Sequence, residues 1–242
     1  MMRKSLVGFA LLFTLQVVFA QDFQKKFDLS PGGQIVVRNF LGYIKVEGYS
    51  GNSIEIKAYK KGPDRDLIQI NDLSSGNRIE LITHYPQFYS GTTTIDIEIR
   101  VPNSVEYNFN TLSSFGGSVE VSHVMGQLRA ESVRGDVEVK DVRGMVSASS
   151  VSGNVNVEID RAQEQSYMRF RSISGNVDVS APANLDALVS MSSDSGRLRT
   201  DFPIDIQERR YGPGREAQGK LGSGKQVLWI NSNSGRVSLT QR

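Results

Sequence analysis

Residues 117–157 read GSVEVSHVM, GQLRAESVR, GDVEVKDVR, GMVSASSVS and GNVNV, which sets Gly117, Gly126, Gly135, Gly144 and Gly153 nine residues apart. Two positions after these glycines come Val119, Leu128, Val137, Val146 and Val155; four positions after come Val121, Ala130, Val139, Ala148 and Val157. The seventh position is valine in the first four segments: Val124, Val133, Val142 and Val151. Most residues between them are polar. This is the period-2 alternation of a strand with one buried face, and a glycine at a fixed place marks a corner. Valine and alanine alternate at the fourth position, so the true period is 18: two strands and two corners per coil. Stacked coils would set Val119, Val137 and Val155 in one inward column and Leu128 beside Val146 in the facing one. All four seventh-position valines are expected to point inward too.

The pattern extends outward from this stretch. The motif Ser-x-x-Gly-x-Val/Leu begins at Ser114, Ser132, Ser150, Ser172, Ser193 and Ser232, with steps of 18, 18, 22, 21 and 39 residues between its glycines. The last step fits one coil plus an inserted loop, 207–225. Gly33, Gly42 and Gly51 repeat the nine-residue step near the start, and Leu67–Ile70, Ile79–Ile82, Ile95–Val101 and Val105–Phe109 are further strand-like runs. The chain therefore reads as all-β: a parallel β-solenoid of 18–22 residue coils over residues 111–242, preceded by a less regular N-terminal β region at 21–110. An antiparallel sandwich or barrel is the competing reading. The strict spacing favours the solenoid over 113–240, while over 21–110 the two readings are evenly matched. The final repeat ends at Leu239, three residues from the end. That predicts an open terminal edge, available for strand addition by a partner or for homotypic pairing.

Residues 1–20 carry a different signal. Arg3 and Lys4 precede the apolar run Leu6–Phe19, and Val18-Phe19-Ala20 precedes Gln21. That is the layout of a secretory signal peptide, and the run is shorter than the roughly 20 apolar residues of a membrane span. The whole chain of 242 residues carries 28 basic and 26 acidic residues, a net charge of +2. Without Arg3 and Lys4 the balance is 26 to 26, which removes the bulk case for a nucleic-acid partner. No second hydrophobic segment follows, so no transmembrane segment is expected in the mature chain. The expected location is periplasm, cell surface or exterior. The absence of cysteine excludes disulfides, thiolate metal sites and a cysteine nucleophile.

Three stretches carry a family resemblance: Phe27-Asp-Leu-Ser-Pro-Gly-Gly-Gln-Ile-Val-Val-Arg-Asn, Leu41-Gly-Tyr-Ile-Lys-Val-Glu-Gly-Tyr, and the closing Lys220–Leu239, together with the repeated Ser-x-Ser-Gly-Asn-Val. With these the chain resembles the bacterial β-strand-repeat family described as adhesins, a domain of unknown function. The resemblance covers nearly all of the mature chain. It implies an exported or cell-envelope solenoid, in some members linked with envelope stress, with no established enzymatic activity and no agreed catalytic residues.

Motifs with chemical content are few. Calcium β-rolls need an aspartate at a fixed repeat position, but Asp136 is matched by Ser118, Gln127, Met145 and Asn154 in the other repeats. Gly219–Lys225 has phosphate-loop spacing but is followed by Gln226 and a strand pattern, where Ser or Thr and a helix are needed. Glu120 and Glu138, one coil apart, and the pair His123 and Asp141 would be the acid/base groups of a carbohydrate-acting solenoid enzyme, a lyase or hydrolase on glycans. The simpler reading is solvated charge, because the ladder turns to Asn156 in the next coil. Asp136, Asn154, Asn176 and the motif serines fit corner hydrogen bonding. Trp229 and Phe170 are expected in the core or a cap. One local basic excess, Arg209, Arg210, Arg215, Lys220 and Lys225, in a loop that also carries Tyr211, is the candidate binding loop.

The sequence thus points to a non-enzymatic, exported adhesin, scaffold or binding module. No catalytic residues, metal site or cofactor are expected, and the partner is a protein or an anionic envelope polymer. A third reading is a periplasmic sensor-like protein whose partner lies in the membrane.

Overall fold

The structure, a computed structural model, describes residues 22–159, 166–210 and 212–242; the candidate signal segment and Tyr211 lie outside them. Strands follow one another with short corners. The N-terminal part holds Phe23–Phe27 (β1), Gln34–Leu41 (β2), Ile44–Tyr49 (β3), Ile54–Lys61 (β4), Gln69–Asp72 (β5), Arg78–His84 (β6) and Thr94–Pro102 (β7). The strict repeat supplies Glu106–Gly116 (β8), Val119–Ser122 (β9), Met125–Ser132 (β10), Val137–Lys140 (β11), Val146–Ser150 (β12), Val155–Glu158 (β13), Tyr167–Ser172 (β14) and Val177–Ala181 (β15). Ala187–Ser193 (β16), Leu198–Thr200 (β17), Ile206–Glu208 (β18), Arg215–Lys220 (β19), Gln226–Ser232 (β20) and Val237–Gln241 (β21) complete the chain. Among the described residues the helical content is a single 3₁₀ turn, Arg65–Leu67.

The strands form two facing sheets. Sheet A runs β1-β4-β7-β3-β9-β11-β13-β15-β21-β17, and sheet B runs β18-β19-β16-β20-β14-β12-β10-β8-β2-β6-β5. The central strands of both are parallel, so each coil gives one strand to each sheet: the solenoid read from the glycine spacing. Its register matches the repeat. Val137 pairs with Val119 and Val155, and Leu128 with Val146; all five are buried. The N-terminal region is less regular, because β1, β4 and β5 pair antiparallel. Residues 110 and 111 lie inside β8, a strand of sheet B, and each sheet combines strands from both sides of that point.

The motif serine closes one of the two corners of each coil. Ser150 Oγ donates to the Gly135 carbonyl at 2.8 Å and accepts the Gly153 N–H at 2.9 Å. Ser132, Ser172, Ser232 and Ser193 repeat that pair of bonds. Beside them runs an amide ladder: Asn154 N–H to Asp136 Oδ1 at 2.7 Å, Asn176 N–H to Asn154 Oδ1 at 3.0 Å, and Arg236 N–H to Asn176 Oδ1 at 2.9 Å. Ser150→Ala removes both bonds of a buried corner and leaves the Gly153 N–H without its partner. A loss of about 2 kcal/mol is expected, read as a lower urea midpoint at unchanged slope; an unshifted midpoint would show that the corner serines carry no stability.

Two expectations are corrected. Val124 and Val142 are buried, but Val133 is half-buried and Val151 is 39% exposed. The two corners of a coil differ. At the first, His123 and Asp141 adopt left-handed backbone (φ 58° and 48°) and turn the following valine inward. At the second, the serine takes the inward place and the valine after it faces out. The final coil, moreover, is not at an edge. β20 lies between β14 and β16, and β21 between β15 and β17, so its strands are paired on both sides. The cause lies in the inserted segment: the β18–β19 hairpin pairs antiparallel along β16, which makes β16 the outer coil and leaves the slot inside it for the last one. The outermost strands are instead β17 and β18, of three residues each, with β1 and β5 at the opposite end.

Candidate functional site

Side chains pointing away from the core form ladders on each sheet, because parallel strands in register place equivalent residues ~4.8 Å apart. On sheet A the ladder is ionic. Glu120 is in register with Glu138, as expected, but Lys45 flanks Glu120 on the other side, and Glu138 is ion-paired with Lys140. Further along, Asp178 accepts from the Arg236 guanidinium at 2.9 Å. His123 Nε2 lies 3.2 Å from Asp141 across one rung, both side chains well exposed. The face is largely self-neutralised.

The basic loop is a hairpin, and it does not gather its charges in one place. Arg209 Nη1 binds Asp194 Oδ1 at 2.5 Å. Arg215 lies close by, opening β19 opposite Glu208. Lys220 ends the same strand, five residues and about 17 Å further on, close to the turn that carries Lys225. Tyr211 and its contacts lie outside the described residues.

The turn at Gly219–Lys225 joins two strands and closes on an internal anion. Asp186 accepts the Ser223 hydroxyl at 2.7 Å and the Gly224 and Lys225 amides at 2.5 and 3.1 Å. The Ser223 hydroxyl first, and then these amides, hold the Asp186 carboxyl below the usual carboxylate range. The nest of amides that a phosphate would use is filled by the protein's own carboxylate. Among the described residues no group of three or more His, Asp or Glu is arranged to hold a metal ion.

The outer face of sheet B is of a different kind. Arg129 of β10, Ser147 of β12 and Arg169 of β14 are in register, as are Glu131, Ser149 and Arg171 one pair along. The short serines of β12 make the floor of a trough, and the arginines of β10 and β14 stand as walls two rungs apart, about 9.6 Å. The cavity over it measures about 620 Å³. Tyr167, 48% exposed, stands at its mouth, and Trp229 on the next strand, 37% exposed, lies with its ring 4.6 Å below the Arg169 guanidinium. Trp229 is therefore a surface residue, against expectation, whereas Phe170 is fully buried in the core. At the far end of the trough a second cavity of about 420 Å³ shares Glu131, Ser149 and Arg171 and is bounded by Phe115, Val151 and Ile173. Arg134 lies over the Phe115 ring at 5.0 Å. The one carboxylate of the trough, Glu131, is bound by Arg129 at 2.8 Å.

Attention to the inward valines hides these residues. Their signal is present in the alternate positions, since Tyr167-x-Arg169-x-Arg171 and Val227-x-Trp229-x-Asn231 are the outward halves of two strands that share a register.

Comparison with known proteins adds the following. The Toastrack DUF4097 family profile matches residues 92–240. Among solved structures, a candidate cell adhesion protein from Clostridium sporogenes superposes with a TM-score of 0.49 at 12% identity, over 91% of this chain and 99% of that one. A candidate adhesin from Bacteroides fragilis gives a TM-score of 0.32 at 12% identity, over 91% and 96% of the two chains. One from Parabacteroides distasonis gives 0.27 at 9% identity, over 91% and 96%. No curated protein matches the chain.

Proposed function

The chain belongs to the Toastrack DUF4097 family, and on that premise we propose that it is an exported, non-enzymatic binding module that presents the outer face of sheet B to an envelope partner. The character of that face supports this reading. Cationic and aromatic side chains stand in fixed rows on a stack of hydrogen-bonded strands, around a trough whose carboxylate is already engaged by an arginine. A rigid array of this kind loses little conformational freedom on binding, so modest contacts per rung suffice, and its regular repeat suits a polymeric partner with a repeat of its own. Export rests on the three-part layout of residues 1–20. The glycan-cleaving alternative would use Glu120 and Glu138, and Lys45 and Lys140 beside them favour charge neutralisation over acid/base work.

Sedimentation of the purified chain with insoluble envelope polysaccharide separates the readings. The protein is expected in the pellet, with no reducing ends or unsaturated sugars released into the supernatant. Release of fragments would establish an enzyme, and a protein that stays in the supernatant with every envelope fraction would overturn the binding role.

A further inference from the structure

We propose that the trough along β12 is a binding site for an acidic glycan, a chain of sugar rings bearing carboxylates; this rests on the binding role assigned above to the same face. Four observations carry it. The walls supply Arg129, Arg169 and Arg171 against the single carboxylate Glu131, and Arg134 stands near the far end over the Phe115 ring. Arg171 is half-buried, its Nε is out of contact with solvent and has no hydrogen-bond partner among the described residues, and its side chain lines both cavities. A guanidinium in that setting presents a planar fork suited to a carboxylate. The trough is open-ended and about 20 Å long from Met145 to Val151 at ~3.3 Å per residue, the shape for a chain rather than a small molecule.

The remaining lining decides between a glycan and an acidic peptide. β12 is hydrogen-bonded to β10 on one side and β14 on the other, so its backbone offers no edge with which an extended peptide could pair. What the trough does offer is hydroxyls and amides, Ser147, Ser149, Asn108 and Gln127, with the exposed Tyr167 ring at its mouth and Trp229 stacked beneath Arg169. Ring hydroxyls can take the short polar side chains, sugar C–H faces the aromatic rings, and carboxylates the arginines.

The chain contains one tryptophan, and it flanks the trough, so Trp229 fluorescence is a local reporter. Titration of the full chain with oligogalacturonate should shift that emission and saturate, with affinity falling as salt rises. The methyl-esterified, uncharged oligomer should bind at least about tenfold more weakly, as should Arg169→Ala and Arg171→Gln with the acidic oligomer. Lys45→Ala on the opposite sheet should bind as the wild type does. Arg169 is exposed and Arg171 half-buried, and an unchanged melting curve for each variant keeps the comparison one of binding. Oligoglutamate that displaces the glycan and binds as tightly would identify an acidic-peptide site. Oligogalacturonate binding that ignores the arginine variants, or no binding at all, would overturn the proposal. In either case sedimentation with envelope polymer, retained alike by wild type and Arg171→Gln, would leave the wider binding role standing on another surface.

Discussion

Gly153→Val is expected to abolish the cooperative folded state, and Gly153→Ala to cost about 3 kcal/mol, the upper part of the usual range for overpacking. The backbone at Gly153 is not left-handed, so conformational freedom is not what demands glycine there. A side chain would meet the next coil: its Cβ would lie 2.1 Å from the Gly135 carbonyl oxygen and 2.4 Å from the carbonyl carbon. The obstruction is backbone, which cannot rotate away, and that oxygen already accepts the Ser150 hydroxyl. Gly135, Gly175, Gly235 and Gly196 approach their neighbours in the same way, and a Cβ added at each would lie 2.0–2.2 Å from a carbonyl oxygen. Gly76 is the control. It is left-handed at φ 55° with open space around it, so Gly76→Ala should cost only roughly 1–2 kcal/mol of local strain. Urea denaturation of the three variants is the measurement; an unshifted midpoint for Gly153→Ala would mean that the coils do not approach this closely.

Truncation after Lys225 is the second large effect. It removes β20 and β21, hence Leu228, Ile230, Val237 and Leu239, all fully buried. Their burial is worth roughly 10 kcal/mol gross, comparable with the whole stability of an ordinary domain. The loss falls in the interior of the stack: β16 and β17 lose their parallel partners, and Ser193 loses the Gly235 carbonyl. The shortened chain should melt at a much lower temperature, and limited proteolysis should cut between residues 182 and 225 while sparing β8–β13. A melting temperature equal to that of the full chain would show that β16 and β17 dock directly on β14 and β15.

That second result also marks where reading the sequence stops. The pairing Val119–Val137–Val155, the serine–glycine corners and the Asp136–Asn154–Asn176 ladder are all legible, because each is made by residues that hold a fixed place relative to a repeat glycine. The order of the last coils was not. Ser193-x-x-Gly196 and Ser232-x-x-Gly235 carry the same motif, and a coil with that motif can dock on any other; what places the later one inside is the hairpin along β16. The same holds at the start, where β2 pairs with β6 on one side and β8 on the other. Val133 and Val151 share a spacing with Val124 and Val142 but stand at the other kind of corner. The trough is not legible for a related reason: Arg129, Arg169 and Arg171 occupy no motif, and only the register of β10, β12 and β14 brings them together. The loop charges from Arg209 to Lys225, adjacent in sequence, are spread along a hairpin instead.

The inserted final coil limits how such a protein can change in length. A stack whose last strands sat at the tip could grow by tail duplication, each new repeat landing on the one before. Here β20 and β21 are already enclosed, and a unit duplicated from them would find both of their neighbours taken. New 18-residue units fit only in the middle, between β9 and β14, where one coil follows the next both along the chain and in space. A ribosome likewise delivers the two end coils out of order, so the gap beside β14 stays open until β20 emerges. Both ends are closed by strands threaded back inside, and the middle is the part free to vary.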